Sequence, residues 1–393
     1  MTKDIRSKVR NIRVLELFAG IGACSKALER LGIDHEIVDA VEIDKFAIQS
    51  FNTIHRTNFE PQDITKWDKD IEVDLIMHGS PCQDFSVAGK GAGGDEGSGT
   101  RSSLLYESLR IIQKLKPKYV IWENVKNVLS VKHRNVLLDY FNKMEDAGYH
   151  SWFEVLNAKD FGVPQNRERM FMVSIRKDII KDGEFIFPGI IPLEKKLKDV
   201  LEDKVDEKYY LSEKQMDGLL SSNYDQNKRF YDVGGVSPTI STMGGGQRQP
   251  KIIQRPRGKN KGWEHEISPT VSSSKWQDNN LLKEPLAVAS RGRYGENGDG
   301  VDLVYPESKT RRGRVGHGVS KTIPASDSQG VLDGFRIRKL TPIECWRLMG
   351  FDDEDFRKAE KVNSNTQLYK QAGNSIVVNV LEAILTNLLE GVE

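Results

Sequence analysis

The sequence predicts an α/β fold with a doubly wound, mostly parallel sheet, interrupted by a smaller and irregular β and loop domain. In the first half of the chain, short runs rich in β-branched residues alternate with stretches of helical period. From about residue 222 to 333 the helical period disappears, and Gly, Ser, Pro, Arg and Asn crowd between short β-like pieces. Because 393 residues exceed the usual size of one hydrophobic core, two domains are expected.

The elements of the first half can be placed in chain order. Strands are expected at residues 14–18 and 37–41, and the helix between them, around residues 26–31, should stop at Gly32. This arrangement is one βαβ unit. Apolar, β-rich runs predict the next three strands, at residues 73–77, 119–122 and 170–175. Helices are expected between these strands, near residues 104–115 and 135–144.

The second half is less regular. Residues 194–208 place apolar side chains at helical spacing within a run of mixed charge, which predicts an amphipathic connector helix. A weak Ser-Pro-Thr-like repeat at residues 235–241, 266–272 and 318–324 indicates a reused strand-turn element. Helices are expected again over residues 340–348 and, after a polar turn at 373–375, from about 377 to 389.

The bulk composition is that of a globular protein, with 38% hydrophobic and 29% charged residues. No run approaches the roughly 18 apolar residues that a membrane span requires, so no membrane partner is expected. The charged N-terminus lacks the apolar run of a secretory signal, which favours a cytoplasmic location. Cys24, Cys82 and Cys345 are far apart and in no metal-ligand spacing, so neither a disulfide framework nor a metal site is expected.

Basic and acidic residues are unevenly distributed along the chain, which the net charge does not show. Fifty-eight basic and 57 acidic residues give a net charge of +1, which alone argues against a polyanion-binding protein. Residues 247–321, however, hold 15 basic and 8 acidic side chains, a local charge of +7 that leaves −6 for the rest. This basic region is therefore a candidate for phosphate contact.

Open parallel sheets bind ligands at the carboxyl ends of their strands, and conspicuous residues occupy five such positions. A lone glycine pair is typical of a tight turn and a lone carboxylate of a helix cap, but five coincident strand ends favour a ligand site. The positions are Phe18-Ala19-Gly20-Ile21-Gly22, Glu42, Asp63-Ile64, Gly79-Ser80-Pro81-Cys82 and Glu123-Asn124.

The pattern of these strand ends indicates an adenosine cofactor. The glycine turn lacks the third glycine that packs a dinucleotide pyrophosphate, whereas Glu42 lies 20 residues past Gly22, where a carboxylate accepts hydrogen bonds from ribose hydroxyls. Asp63 can accept from the adenine amine, with Ile43 and Ile64 packing on the base. An adenosine without a diphosphate fits S-adenosyl-L-methionine, whose methyl transfer leaves S-adenosyl-L-homocysteine.

Cys82 and Glu123 together suit addition to a pyrimidine. The thiol follows a proline that restricts the turn and has polar neighbours, which favours a nucleophile over an inert buried thiol. A carboxyl at the end of an apolar strand is desolvated, so Glu123 can hold a proton for a ring nitrogen. Arg167 and Arg169 alternate just before a strand, where one can reach a pyrimidine oxygen and the other a phosphate or the glycine-rich lid after Cys82.

This ordered set of blocks resembles the DNA cytosine C5 methyltransferases, of bacterial or phage type, over roughly residues 12–176 and 335–389. The blocks that carry the resemblance are Phe18-Ala19-Gly20-Ile21-Gly22, Glu42, Asp63-Ile64, Pro81-Cys82-Gln83, Glu123-Asn124-Val125, Gln165-x-Arg167-x-Arg169, Arg338-Lys339-Leu340-Thr341-Pro342-x-Glu344-Cys345 and Gln371-Ala372-Gly373-Asn374-Ser375. Two positions depart from the family pattern: Ser80, where a bulkier residue often stands, and Gln62, which replaces a common glycine.

The resemblance implies a Rossmann-like S-adenosylmethionine-dependent methyltransferase domain. Residues 1–187 would form the catalytic and cofactor-binding domain, residues 188–333 a target-recognition domain with the connector helix, and residues 334–393 a segment that returns to the catalytic domain. It implies that Pro81, Leu104, Asn374 and Ser375 help to hold the cofactor, and that Cys82, Glu123, Arg167 and Arg169 are catalytic. The enzyme would extrude a cytosine from duplex DNA, because C6 cannot be reached inside the stack.

Two sets of side chains are then expected to contact DNA. The first surrounds the nucleophile and its lid: Gln83, Ser86, Lys90 and Arg101. The second lies in the basic region, where guanidinium groups, together with hydroxyls of the repeats, can meet phosphates and guanine edges: Arg291, Arg293, Arg311, Arg312 and Arg314. A monomer is expected, acting alone or beside a restriction endonuclease that shares its site.

Three alternatives stay open at this point. A tRNA cytosine methyltransferase is disfavoured by the separate basic domain of about 110 residues. A DNA-binding relative without catalysis is disfavoured by the intact Cys82, Glu123 and Arg169. A nicotinamide-dependent oxidoreductase is disfavoured by the truncated glycine pattern.

Overall fold

The fold was analysed in a computed structural model, which describes residues 11–81, 104–180, 184–211, 231–232, 235–240, 251–254, 300–302, 315–316, 329–331 and 336–390. The chain divides into two compact units. Unit 1 comprises Met1–Lys196, Ser237–Gly244 and Cys345–Glu393, and unit 2 comprises Leu197–Val236 and Gly245–Glu344. Both ends of unit 2 lie further along the chain than the expected 188 and 333, and residues 237–244 return to unit 1. The roles assigned to the units stay predictions.

Among the described residues, unit 1 is built from six strands and surrounding helices. The strands are β1 (Ile12–Leu17), β2 (His35–Val41), β3 (Leu75–His78), β4 (Tyr119–Val125), β5 (Tyr149–Asn157) and β6 (Glu168–Arg176). The helices are α1 (Ala23–Leu31), α2 (Lys45–His55), α3 (Leu105–Leu115), α4 (Arg134–Asp146), α5 (Pro342–Arg347), α6 (Asp353–Ala359), α7 (Asn365–Asn374) and α8 (Val378–Glu390). Helix α5 begins in unit 2 and ends in unit 1.

The strands form one sheet in the order β2-β1-β3-β4-β6-β5. The first four are mutually parallel, and β6 runs antiparallel to both β4 and β5. The predicted α/β class with a mostly parallel sheet is therefore confirmed. Residues 119–124 of β4 are buried, as expected for a strand covered on both faces.

Neighbouring parallel strands bring the candidate site to one edge of the sheet. Leu17 of β1 is in register with His78 of β3, and His78 is in register with Trp122 of β4. The glycine turn after β1, the turn that leads to Cys82 after β3, and Glu123 in β4 therefore lie side by side.

The C-terminal helices are fastened to α1 by charged side chains. Lys26 Nζ lies 2.9 Å from Asp355 of α6, and both side chains are almost fully buried. Arg30 pairs with Glu382 of α8 at 3.0 Å and donates to the carbonyl oxygen of Gly350 at 2.6 Å. The segment that follows unit 2 in the sequence thus completes the packing of the first helix, which ends at Gly32 (φ 68°) as predicted.

Several elements differ from expectation. The connector helix expected over residues 194–208 is wrong: the chain forms two 3₁₀ turns there, Leu197–Val200 and Glu207–Tyr209. Leu197, Val200 and Leu201 are buried, so the apolar spacing is satisfied by a single turn rather than by a helix. No strand precedes Asp63, and the expected polar turn at 373–375 is instead mostly the last turn of α7. Strand β5 and helices α6 and α7 were not predicted.

The first copy of the Ser-Pro-Thr repeat lies in unit 1 from Ser237 onwards. Ser237 pairs with Gln165 as an isolated bridge, its amide donates to the oxygen of Pro164 at 2.7 Å, and its oxygen accepts from Asn166 at 2.7 Å. Thr239 donates its hydroxyl hydrogen to the carbonyl oxygen of Asn166 at 2.7 Å, so this copy helps to fix the chain after Gln165; its contact with phosphate stays a prediction. The other two copies lie outside the described residues.

In unit 2 the described residues form two small sheets, one of β7 (Tyr231–Asp232), β8 (Lys251–Gln254) and β12 (Arg336–Lys339), and one of β9 (Gly300–Asp302), β10 (Val315–Gly316) and β11 (Gln329–Val331). In β12, Arg338 donates two hydrogen bonds, at 2.8 and 2.7 Å, to the fully buried carboxylate of Glu344. This carboxylate also accepts from the amides of Thr341 and Glu202. The block that resembles the family here is a buried charge cluster.

Within the described part of the chain, one stretch, Asn365–Glu390, has the length and hydropathy of a membrane span. About 61% of its apolar window is buried inside the fold, which is also the pattern of core helices in water-soluble proteins.

Candidate active site

The glycine turn after β1 adopts a backbone that most residues avoid. Phe18, Gly20 and Gly22 all have positive φ angles, of 54°, 56° and 81°. For an aromatic residue such as Phe18 the left-handed region is unfavourable, so the surrounding structure must impose it. The amide of Ala19, held by the carbonyl oxygen of Val41 at 3.1 Å, contributes to this constraint.

Gly22 has no room for a side chain, because His55 of α2 packs directly against it. A Cβ atom on Gly22 would overlap Nε2 of His55 and lie 2.8 Å from the Phe51 ring. Burial lowers the pKa of His55 to about 4, so the ring is neutral near pH 7. Nε2 lies 3.1 Å from the carbonyl oxygen of Ile21, an acceptor, and therefore carries the hydrogen. His55 supports the turn from behind, and no motif in the sequence marked it.

Ser25 occupies the position where a dinucleotide-binding turn has its third glycine. Its amide donates to Glu16 Oε1 at 3.0 Å, its hydroxyl makes a short hydrogen bond to the same atom, and the amide of Cys24 approaches Oε2 at 3.4 Å. Burial raises the pKa of Glu16 to about 7. The buried carboxyl group of Glu16 therefore joins strand β1 to helix α1. A serine in place of the third glycine is the feature of the sequence that could have indicated this contact.

Glu42 links the first two strand ends. One carboxylate oxygen accepts from the amide of Gly20 at 3.0 Å and the other from the amide of Asp44 at 2.8 Å, while burial raises the pKa of the carboxyl group. Ile43 is 71% exposed beside it and is open to a ligand. Ile64 is only 5% exposed and belongs to the main hydrophobic core, and its packing on a base stays a prediction.

The Asp63 loop is fixed by the buried Asp39. Gln62 donates to Asp39 at 2.7 Å and to the carbonyl oxygen of Ala40 at 3.0 Å, which gives this departure from the family pattern a structural role. Trp67 donates to the other oxygen of Asp39 at 2.8 Å. Asp63 itself caps a short 3₁₀ turn by accepting from the amide and hydroxyl of Thr65 through Oδ1. Its Oδ2 lies 3.9 Å from Nζ of the exposed Lys66.

Glu123 is the central acid of the site. Its Oε1 lies 3.0 Å from Nε of Arg169, and its Oε2 lies 3.5 Å from the position a Cβ on Gly79 would take. Burial raises the pKa of Glu123, against the opposing effect of Arg169 and Arg167. A carboxyl group held this way can carry a proton in an apolar surrounding and can still lose it to a basic ligand atom.

The turn between Gly79 and Cys82 is anchored from β4. Trp122 donates from Nε1 to the hydroxyl oxygen of Ser80 at 3.1 Å, and Asn124 donates to the carbonyl oxygen of Ser80 at 3.2 Å. The serine that departs from the family pattern is therefore the residue that receives both hydrogen bonds. Pro81 is half-buried and is the last described residue before Cys82.

Arg167 has a different surrounding from the one expected for a catalytic group. Its guanidinium donates to three carbonyl oxygens, those of Ile240 (2.9 Å), Gly373 (3.2 Å) and Ser375 (2.8 Å), and the side chain is buried. Arg167 therefore positions the 373–375 backbone, whereas Arg169 forms the ion pair with Glu123; the catalytic role expected of Arg167 stays a prediction.

The remaining predicted cofactor residues are placed as follows. Leu104 packs against the main core just before α3, Asn374 is exposed at the end of α7, and Ser375 is buried, with its hydroxyl donating to the carbonyl oxygen of Ile376. The predicted residues that fall outside the described residues are Cys82, Gln83, Ser86, Lys90, Arg101, Arg291, Arg293, Arg311, Arg312 and Arg314. Among the residues that are described, no group of three His, Cys, Asp or Glu side chains is arranged to hold a metal ion.

Solved structures share this fold at low sequence identity. The Entamoeba histolytica methyltransferase EhMeth superposes with a TM-score of 0.62 at 14% identity, covering 98% of this chain and 99% of its own. The S. pombe Dnmt2 methyltransferase superposes with a TM-score of 0.59 at 19% identity, covering 97% and 99%. The architecture is therefore that of known methyltransferases.

Sequence comparison is more specific. The orphan methyltransferase M.SPRI of Bacillus phage SPR is 35% identical, with 96% of this chain and 97% of that protein aligned. The type II methyltransferase M.Bsp6I of Bacillus sp. (strain RFL6) is 33% identical, with 96% and 98% aligned. The sequence profile described as C-5 cytosine-specific DNA methylase matches residues 12–390. The chain therefore belongs to the C-5 cytosine-specific DNA methylase family.

Proposed function

We propose that the protein transfers a methyl group from S-adenosyl-L-methionine to C5 of a cytosine within a short, specific sequence of duplex DNA. The observation that carries this proposal is the buried Glu123, held at 3.0 Å by Arg169 and packed beside the turn that leads into Cys82. A protonating carboxyl group next to a thiol is the pair that conjugate addition to a pyrimidine requires.

The cofactor is assigned to the edge formed by the first three strand ends. Glu42 would accept from the ribose hydroxyls through lone pairs that Gly20 and Asp44 leave free, and Asp63 Oδ2 from the adenine amine. The exposed Ile43 would cover one face of the base. When bound, S-adenosyl-L-methionine supplies an electrophilic methyl group on a sulfonium and leaves as S-adenosyl-L-homocysteine.

In this proposal Cys82 is the nucleophile that attacks the cytosine, and Glu123 is the acid that protonates it. The Cys82 thiolate forms a bond to C6 while Glu123 gives its proton to N3, so that the electron pair of the C5–C6 bond becomes available at C5. C5 then takes the methyl group, and the sulfonium becomes a thioether. Solvent next accepts the C5 proton, the electron pair of that C–H bond re-forms the C5–C6 double bond, the sulfur leaves C6 as a thiolate, and N3 returns its proton to Glu123. Arg169, on the other side of Glu123, is placed to hold the cytosine O2.

The cytosine must leave the duplex for this chemistry, since C6 lies within the base stack. Unit 2 is assigned the recognition of the surrounding sequence because the basic stretch 247–321 falls within it. Double-stranded DNA inside a bacterial or phage-infected cell is therefore the proposed substrate. M.SPRI, which is 35% identical, is described as orphan, and this favours a solitary enzyme over one paired with an endonuclease.

The test is bisulfite sequencing of duplex DNA incubated with the protein and S-adenosyl-L-methionine. We expect methylcytosine at one short sequence with wild-type protein and with Cys345→Ala, which removes a different thiol, and none with Cys82→Ala. Glu123→Gln should lower the rate by about 10²–10⁴-fold. Equal methylation by Cys82→Ala and wild type, or methylation of a tRNA transcript in preference to the duplex, would overturn the proposal.

A further inference from the structure

The segment that follows β4, residues 126–133, has a well-defined conformation. Two 3₁₀ turns, Lys126–Leu129 and Val131–His133, follow each other after β4. The amide of Ser130 donates to Asn127 at 3.0 Å, and the amide of His133 donates to Ser130 at 2.9 Å. Because the side chains of Val128 and His133 are buried on either side, the residues between them have a fixed conformation.

This segment exposes an apolar side chain. Val131 is 92% exposed, more than any other large hydrophobic residue described. It follows Glu123 by eight residues and lies at the same edge of the sheet, since the segment starts where β4 ends. A single exposed valine needs no explanation by itself, but this one has a charged surrounding that does.

The residues around Val131 are cationic. Residues 126–138 contain Lys126, Lys132 and Arg134 and no acidic residue. Lys126 pairs with Glu168 at 3.0 Å, whereas Lys132 and Arg134 are exposed. Their place is unfavourable for the fold, because they lie at the N-terminus of α4, where the helix dipole is positive and no side-chain cap or acidic residue is present in the first turn.

We propose that this surface, formed by Val131, Lys132 and Arg134, binds the backbone of duplex DNA beside the extruded cytosine. The two cations meet phosphates, and Val131 packs against the sugar or base edge of a neighbouring nucleotide, as apolar side chains do in bent or opened duplexes. The partner is inferred to be DNA because the two cations complement its phosphates. The contact is assigned to the region around the extruded cytosine because this surface follows the strand that carries Glu123. The inference rests on the proposed function and names a contact in unit 1 that does not involve the recognition region.

The test measures the affinity for a fluorescein-labelled duplex at several KCl concentrations by anisotropy. Lys132→Gln/Arg134→Gln should weaken binding and reduce the slope of log affinity against log salt by about 2, since each lost phosphate contact removes about 0.9. Val131→Asp should weaken binding further, and Val131→Thr much less. The matched control is Lys116→Gln/Lys177→Gln, which removes the same charge at the opposite end of the strands, after α3 and β6, and should leave the slope unchanged.

An equal change in slope for both double variants would show an effect of net charge only and would overturn the proposal, as would no change for either. Loss of affinity for a tRNA transcript alone would assign the surface to RNA and equally overturn it. Thermal unfolding and cofactor affinity of the variants should match wild type. Bisulfite sequencing of the wild type tests the proposed function separately, so that its failure is distinguishable from failure of this surface.

Discussion

The Nε atom of Arg169 lies 3.0 Å from Oε1 of Glu123. Register pairing explains the contact: Arg169 faces Val125 across β4 and β6, so its side chain reaches back to a carboxyl group two residues away on the same face. The guanidinium lowers the pKa of Glu123 while burial raises it, and the proton of the acid depends on this balance.

Replacing Arg169 should move the pH dependence of methyl transfer. Arg169→Gln removes a cation that lowers the pKa of Glu123, so the acid stays protonated to higher pH and the alkaline limb of the kcat profile shifts upward. Arg176→Gln, at the far end of the same strand, is the control and should leave the limb in place. A limb that stays fixed in Arg169→Gln would show that Glu123 is not the titrating acid.

Gly22 should tolerate alanine far less than Gly20. Both residues have a left-handed φ, which costs an alanine about 1–2 kcal/mol, but only at Gly22 would the new Cβ overlap His55. We expect Gly22→Ala to lose cofactor affinity and thermal stability, measured by calorimetry, and Gly20→Ala to lose only the smaller amount of stability. His55→Ala should recover part of the loss in Gly22→Ala. Equal destabilisation of the two glycine variants would contradict the close packing of His55.

Glu16 should make stability fall as the pH rises towards neutral. The pKa of Glu16 is about 7 in the folded protein, above the ~4.3 of an unfolded chain. The protonated carboxyl group therefore makes its full contribution to the unfolding free energy below about pH 4, and this contribution is lost as the pH rises through 7. Glu16→Gln should remove roughly 3 kcal/mol of this change in unfolding free energy, measured by urea unfolding between about pH 4 and pH 8. Glu36→Gln, on the exposed side of β2, should keep the wild-type dependence.

Lys26 should be more important for stability than a partly exposed lysine, Lys358, on the helix that it contacts. Lys26→Met leaves Asp355 buried without its cation and should cost about 3–5 kcal/mol of unfolding free energy. Lys358→Met breaks the exposed pair with Glu354 and should cost at most about 1 kcal/mol. If urea midpoints fall equally in the two variants, the buried pair does not hold α6 against α1.

The sequence predicted the parts of the site that follow from local pattern. Glycines and carboxylates after β-rich runs located the turn at 18–22, Glu42 and Glu123, because the ends of adjacent parallel strands must meet. It did not reveal the carbonyl contacts of Arg167, since their partners lie as far as 208 residues away in the chain. His55 was missed because its role depends on a contact with Gly22, which lies 33 residues earlier in the chain and has no side chain.

The errors in the fold have physical causes as well. Strand β5 lies at the edge of the sheet and is partly exposed, so it lacks the continuous apolar run of the central strands. Helix α7 is rich in polar residues and is fixed by tertiary contacts, such as the hydrogen bond from Gln371 to the carbonyl oxygen of Phe46 at 2.9 Å. Asp63 was expected at the end of a strand, but no strand precedes it, and a 3₁₀ turn that begins at Ile64 directs the Ile64 side chain into the core.

The ion pairs of Lys26 and Arg30 with Asp355 and Glu382 set the order in which this DNA cytosine-5 methyltransferase can mature during translation. Helix α1 precedes its partners by more than 300 residues in the chain, so the nascent chain carries an exposed helix face until α6 and α8 have been made. Unit 2 emerges in full before that moment. A chain that stops after Gly350 would therefore hold Cys82 and Glu123 but leave unit 1 incomplete, and we expect such a product to be degraded rather than to act as a weak enzyme.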